Sequence, residues 1–109
     1  MAKGYFKQIG ESIDYVNSGS ETIAYGDVVA LTDCIGVAEC DIAAGALGSL
    51  SLCGVYELPS ATEALTIGQR VYWDSIGGNV TSVATDHIAC GVAIAAKMAG
   101  VLVADIRIG

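Results

Sequence analysis

The chain predicts an all-β fold, a small barrel or sandwich of about eight short strands built from two related halves, with little helix. Three observations carry that reading. The first is an internal repeat. Residues 35–47 read IGVAECDIAAGAL and residues 89–102 read ACGVAIAAKMAGVL. In both, a Gly-Val-Ala triplet (Gly36, Val37, Ala38; Gly91, Val92, Ala93) is followed at the same spacing by an Ala-Gly pair (Ala44, Gly45; Ala99, Gly100). The second is helix-poor patterning: glycine occurs 14 times, and no segment sustains the three-and-four apolar spacing of an amphipathic helix. The third is a period-two C-terminus, where Leu102, Ala104, Ile106 and Ile108 alternate with Val103, Asp105 and Arg107.

The elements follow from these signals. Residues up to about position 9 form an N-terminal segment, read either as an arm that adds a strand to a neighbouring subunit or as the first strand of the domain. The first half spans about residues 10–58 and the second about 64–109, within a single domain of 109 residues. Each half opens on a shared phrase, Ile23-Ala24-Tyr25-Gly26-Asp27-Val28-Val29 and Leu65-Thr66-Ile67-Gly68-Gln69-Arg70-Val71, so each enters a short strand through a glycine turn. Residues 47–56 are the counterpart of the C-terminal strand, with Gly48 and Gly54 marking bulges or close approaches. Asp74-Ser75-Ile76-Gly77-Gly78-Asn79 is a hairpin signal placed where the second half is longer than the first. Pro59 opens the polar connection between halves, Pro59-Ser60-Ala61-Thr62-Glu63, which has room for one helical turn.

Composition narrows the function. Apolar residues make up 53% and charged residues 16%, which predicts a packed core rather than disorder. The formal charge of −7 has the wrong sign for gripping phosphates, and the five basic residues are scattered, so nucleic acid is not an expected partner. Residues 42–58 and 88–104 are apolar but short and glycine-dense for membrane spans, and read as buried strands and turns. No apolar run follows Lys3, so no secretory signal is read and the protein is expected in the cytoplasm until assembly.

Residues with chemical potential are few. Cys34, Cys40, Cys53 and Cys90 lack the close pair spacing of a zinc site. In the repeat, Cys90 falls opposite Ile35, Cys40 opposite Ala95 and Cys53 opposite Ile108, so they read as core positions. His87, the single histidine, stands between Asp86 and Cys90 at a strand entrance, and that spacing does not assemble a relay. Glu39 and Asp41 are the nearest alternating carboxylates and read as part of a solvated face. No phosphate-binding loop is present, and no catalytic, cofactor or metal residue is assigned. Of Tyr72 and Trp73, adjacent on a strand, one ring is expected inward and the other outward.

Several phrases then occur in order: Gly10-Glu11 with Ile13-Asp14-Tyr15, residues 23–29 above, Ile35-Gly36-Val37-Ala38, Gly54-Val55-Tyr56-Glu57-Leu58-Pro59, Gly68-Gln69-Arg70-Val71-Tyr72-Trp73-Asp74 and Gly91-Val92-Ala93. Together they span nearly the whole chain and resemble the capsid-cement-like family of tailed bacteriophages. The resemblance implies a non-enzymatic β-rich virion protein that decorates and stabilises the outer face of the capsid, with the major capsid protein as partner and a homotrimer as the assembly. Lys3, Tyr5, Phe6, Lys7, Tyr72 and Trp73 are the candidate interface residues. A minor head-completion, tail or assembly adaptor is the alternative. A DNA-recombination protein, a label some members of the family carry, conflicts with the missing phosphate loop and the acidic charge.

Overall fold

The computed structural model describes residues 2–5 and 10–109. Among these residues nine strands follow in order: β1 (Ser12–Val16), β2 (Val28–Ala30), β3 (Ile35–Ala38), β4 (Leu47–Ser51), β5 (Gly54–Pro59), β6 (Arg70–Asp74), β7 (Asn79–Thr81), β8 (Ile88–Ala93) and β9 (Val103–Ile108). They form two antiparallel sheets, a four-stranded one ordered β1-β4-β3-β2 and a five-stranded one ordered β5-β9-β8-β6-β7. The sheets stack as a sandwich and do not close into a barrel. Among the described residues there is no helix. The connection after Pro59 is extended and bent, because Pro59 itself closes β5 and Ser60 continues toward Leu102 and Val80.

Each sheet is one copy of the repeat. The strand orders superpose as β1 on β5, β4 on β9, β3 on β8 and β2 on β6, and β7 is the extra strand of the longer half. β5 therefore opens the second copy by pairing with β9, although residues 54–58 read as the end of the first half. The turns repeat down to single hydrogen bonds. The Gly26 N–H donates to the Ala38 carbonyl (2.9 Å), and the Gly68 N–H donates to the Ala93 carbonyl (2.7 Å). Within each of these turns a side-chain oxygen accepts from a backbone N–H: Asp27 from Ala24 and Gln69 from Thr66, both at 2.9 Å. Gly26 and Gly68 take positive φ of 86° and 81°, as such turns require.

Not every matched glycine is a turn. Gly36 and Gly91 lie inside β3 and β8. A Cβ on Gly91 would stand 2.1 Å from the Arg107 carbonyl oxygen, so glycine there permits the close approach of β8 to β9. The hairpin signal at residues 74–79 is realised: Tyr72, Trp73 and Asp74 pair with Thr81, Val80 and Asn79. Asp74 Oδ1 accepts from the N–H groups of Ile76 and Gly77, both at 3.0 Å. Those bonds hold its carboxyl below the usual carboxylate range, the Gly77 N–H being the larger cause.

The sheets differ in how their faces are covered. The front of the five-stranded sheet, including Leu58, Val71, Trp73, Ala93 and Ile106, is buried beneath the back of the four-stranded sheet, which contributes Ile35 and Val37. Fully buried aliphatic side chains such as Val71, Val80, Ile106 and Ile108 contribute about 1.5–3 kcal/mol each. The front of the four-stranded sheet holds a second, smaller cluster of Ala38, Ile42 and Leu50, with Ile13, Tyr15, Ile23, Val29 and Leu31 only partly buried around it.

Candidate functional site

In the second repeat copy a run of exposed apolar side chains is carried by the segment between β8 and β9. Met98 is 80% exposed and Leu102 61%, with Val101 and Val103 exposed beside them. A shallow cleft of about 300 Å³ brings Met98, Val101 and Val103 together with Ala95 and Ala96, edged by Glu57 and Asp105.

The local fold forces this display. Leu65 and Lys97 exchange both backbone hydrogen bonds (3.0 and 2.9 Å), the Gly100 N–H donates to the Thr62 carbonyl (2.7 Å), and Gly100 takes a φ of 90°. Lys97 turns inward beneath the turn, where its Nζ donates to the carbonyls of Ala61 (2.9 Å) and Val101 (2.8 Å). With the backbone pinned and the lysine directed inward, Met98 points to solvent. The corresponding turn in the first copy carries Ala43 and Ala46 where the second carries Met98 and Val101, so the second copy presents the larger apolar surface. A smaller pair, Val16 opposite Leu47, is exposed on the first sheet.

The residues singled out from the sequence are scattered. Lys3 and Tyr5 lie in an exposed segment without strand structure, so residues 2–5 do not form a strand of the domain, and the first strand among the described residues is β1 at Ser12. Phe6 and Lys7 lie outside the described residues. Trp73 is the inward ring, 7% exposed in the larger core, while Tyr72 is half-buried on the opposite face. The burial of Trp73 leaves it little surface to offer a partner.

Met98, Val101 and Leu102 were missed because residues 88–104 read as buried strand and turn on hydropathy. The signal that locates them is the matched Gly45 and Gly100, which places a turn, and hence exposure, inside that apolar run.

The cysteines correct another expectation. Only Cys90 is a core residue; Cys53 is half-buried, and Cys34 and Cys40 are exposed. Cys34 sits in the β2–β3 turn and Cys40 in the turn after β3, where neither sheet face covers them. Cys53 loses its place opposite Ile108 because the second copy has one more residue before β9. Ala38 pairs with Leu50 and Ala93 with Ile106, which brings Leu52 opposite Ile108. Burial pushes the Cys90 thiol up to about 11. His87 binds the Val83 carbonyl through Nδ1 (2.8 Å) and stands 3.8 Å from Asp74, bracing the β7–β8 loop against the hairpin. Among the described residues no three His, Cys, Asp or Glu side chains come together as a metal site would need.

What remains is an apolar contact surface on a rigid, twice-built β scaffold. Comparison with known families finds the one described as phage cement protein, matched over residues 7–108 of this chain. The chain belongs to the phage cement protein family. Its role is thereby structural, as a virion protein that decorates and cements the capsid. Comparisons with curated proteins and with solved structures give no match. A cement protein works by contact area, and the Met98–Leu102 group is the kind of exposed apolar patch that marks a protein interface.

Proposed function

We propose that this cement protein acts on the outer surface of the capsid as a homotrimer, catalyses no reaction, and grips the major capsid protein through its N-terminal arm and the apolar patch around Met98. The observation that carries this reading is the match to the cement-protein family over residues 7–108 of this chain. The surface supports it. Tyr5 is 80% exposed between Lys3 and Lys7, an amphipathic arm suited to lying along an acidic, partly apolar neighbour. Met98, Val101 and Leu102 add apolar area on a turn that is ordered before binding, so little conformational entropy is lost on contact.

The test mixes purified protein with expanded, undecorated capsids, pellets the particles and quantifies the bound chain. Saturation near one copy per major capsid subunit is the expected result. Binding confined to a few copies per particle would overturn the reading in favour of an adaptor at a vertex or tail. Absence of binding would overturn the proposed contact with the shell.

A further inference from the structure

The two sheets of this chain are copies, yet among the described residues only one of them has its front covered. Leu65, Val71 and Trp73 on the second front are 2%, 0% and 7% exposed, and their counterparts Ile23, Val29 and Leu31 on the first front are all partly exposed. The cover on the second front is the back of the first sheet, with Ile35 and Val37 in the shared core. The chain thus packs its two copies front against back, not front against front. Such an arrangement leaves one front and one back unused.

The unused back belongs to the second sheet. Arg70 pairs with Val92 and Val92 with Arg107, so these three side chains stand in a row on one face, continued by Val55 opposite Arg107; Glu57 and Asp105, paired two residues further along, share that face beyond the row. Arg70 and Val92 occupy the places that Val28 and Val37 hold in the first copy, where Val37 does the covering and Val28 packs beside it. Among the described residues neither arginine has an ion-pair partner.

The unused front belongs to the more acidic half. Of the twelve acidic residues seven lie in residues 10–51, a stretch with no Lys or Arg, and the other five lie in residues 54–109. The loops that bring Ile23, Leu31 and Ile42 to the open front also carry Asp27, Asp33 and Asp41, all exposed.

We infer that the open front of the first sheet is a docking surface for the Arg70–Val92–Arg107 back of a second copy, repeating between chains the front-to-back packing found within one. The inference deepens the self-association part of the proposed function and rests on it. Val92 and Val55 of the incoming copy lie over Val29 and Leu31, and the two arginines meet the acidic rim. Keeping valine at the covering position while placing arginine beside it, where the first copy has Val28, keeps the separate chain soluble and gives the contact its orientation. A front-to-back contact is heterologous, so it passes from chain to chain, closing as a ring where the rotation between copies returns to the start and running on as an open stack where it does not.

The experiment is analytical ultracentrifugation of the full chain and of two variants, Arg70→Glu with Arg107→Glu (back altered) and Leu31→Lys (front altered), each checked by thermal melting. Tyr15→Lys replaces Leu31→Lys if that variant does not fold. Wild type is expected to self-associate, more weakly in high salt, and each variant alone to be monomeric, with self-affinity reduced at least about tenfold. An equal mixture of the two variants retains one intact front and one intact back and is expected to form one-to-one dimers and nothing larger. A wild type that stays monomeric overturns the self-association itself. Variants that associate as well as wild type, or a mixture that forms no dimer, leave self-association standing and overturn this geometry. Capsid pelleting of the same variants reports separately on the decoration role.

Discussion

Gly91 and Cys90, neighbours on β8, show how a single atom decides what this fold tolerates. Gly91→Ala places a methyl against a backbone carbonyl that cannot rotate away. The expected cost is about 3 kcal/mol or more, and Gly10→Ala, with none of the described residues within 4 Å of the new Cβ, is expected to stay within about 0.5 kcal/mol of wild type. Urea unfolding of the two variants side by side checks both. Cys90 makes a chemical prediction. Its thiol is more weakly acidic in the fold than in the unfolded chain, so its contribution is full below pH 9.0 and is lost as pH rises toward about 11. Stability measured across that window should fall in wild type and fall less in Cys90→Ala. Under native conditions at neutral pH, mass spectrometry after brief alkylation should find Cys34 and Cys40 modified and Cys90 untouched. Acid acts on the other side. The hydroxyl of Thr81 is the main cause holding the Glu63 carboxyl below its ordinary 4.5, with the Ser82 N–H also donating to it, and Asp74 is held below 3.8. The stability these two carboxylates supply is present above those values and is lost as pH falls below them, so Glu63→Gln should flatten the acid limb of the melting profile.

At the level of elements, the repeat shows compensation at one matched position. Ile42 in the first copy corresponds to Lys97 in the second, each bridged to the segment that leads into an earlier strand, Ile42 to Ile23 before β2 and Lys97 to Leu65 before β6. Ile42 rests on Gly48, where an added Cβ would come within 2.4 Å of its side chain, and the residue matching Gly48 by register is Ala104. The lysine stem tolerates that methyl and its ammonium satisfies two carbonyls. Lys97→Ile should therefore cost about 1–3 kcal/mol by leaving the Ala61 and Val101 carbonyls without their buried partner. Adding Ala104→Gly should recover the part of that cost due to crowding. A double-mutant cycle read by chemical unfolding measures the coupling. The turn glycines and the Asp74 hairpin were legible in the sequence because their chemistry is local. The position of β5 was not, since whether Gly54–Pro59 ends one copy or begins the next depends on its pairing with β9, about fifty residues away.

For the whole molecule, the separation of surfaces makes the functional reading testable. Met98→Asp with Leu102→Asp changes only exposed side chains, so melting should shift little while capsid binding falls by about tenfold or more. Removing residues 2–5 should weaken capsid binding in the same assay and leave the two-sheet core intact, because those residues are exposed and lie outside both sheets. If both variants decorate capsids as wild type does, the contact surface lies elsewhere on the chain. The candidate patch was hidden in the sequence because hydropathy treats Met98 and Leu102 like Val71 and Ile106, and only packing separates a methionine on a pinned turn from a valine under a second sheet.

The sequence by itself determined the all-β class, the duplication, the turns at Gly26, Gly68, Gly45 and Gly100, the Asp74 hairpin and the family, because period-two alternation, glycine conformation and ordered motifs are properties of neighbouring residues. Tertiary structure decided that the two copies stack front to back as open sheets. It also decided that Trp73 turns inward, that Cys34 and Cys40 are exposed, and that the first front stays half-covered. These outcomes depend on which face meets which across strands distant in sequence. A period-two pattern says that a strand has an apolar face, but not what lies against it.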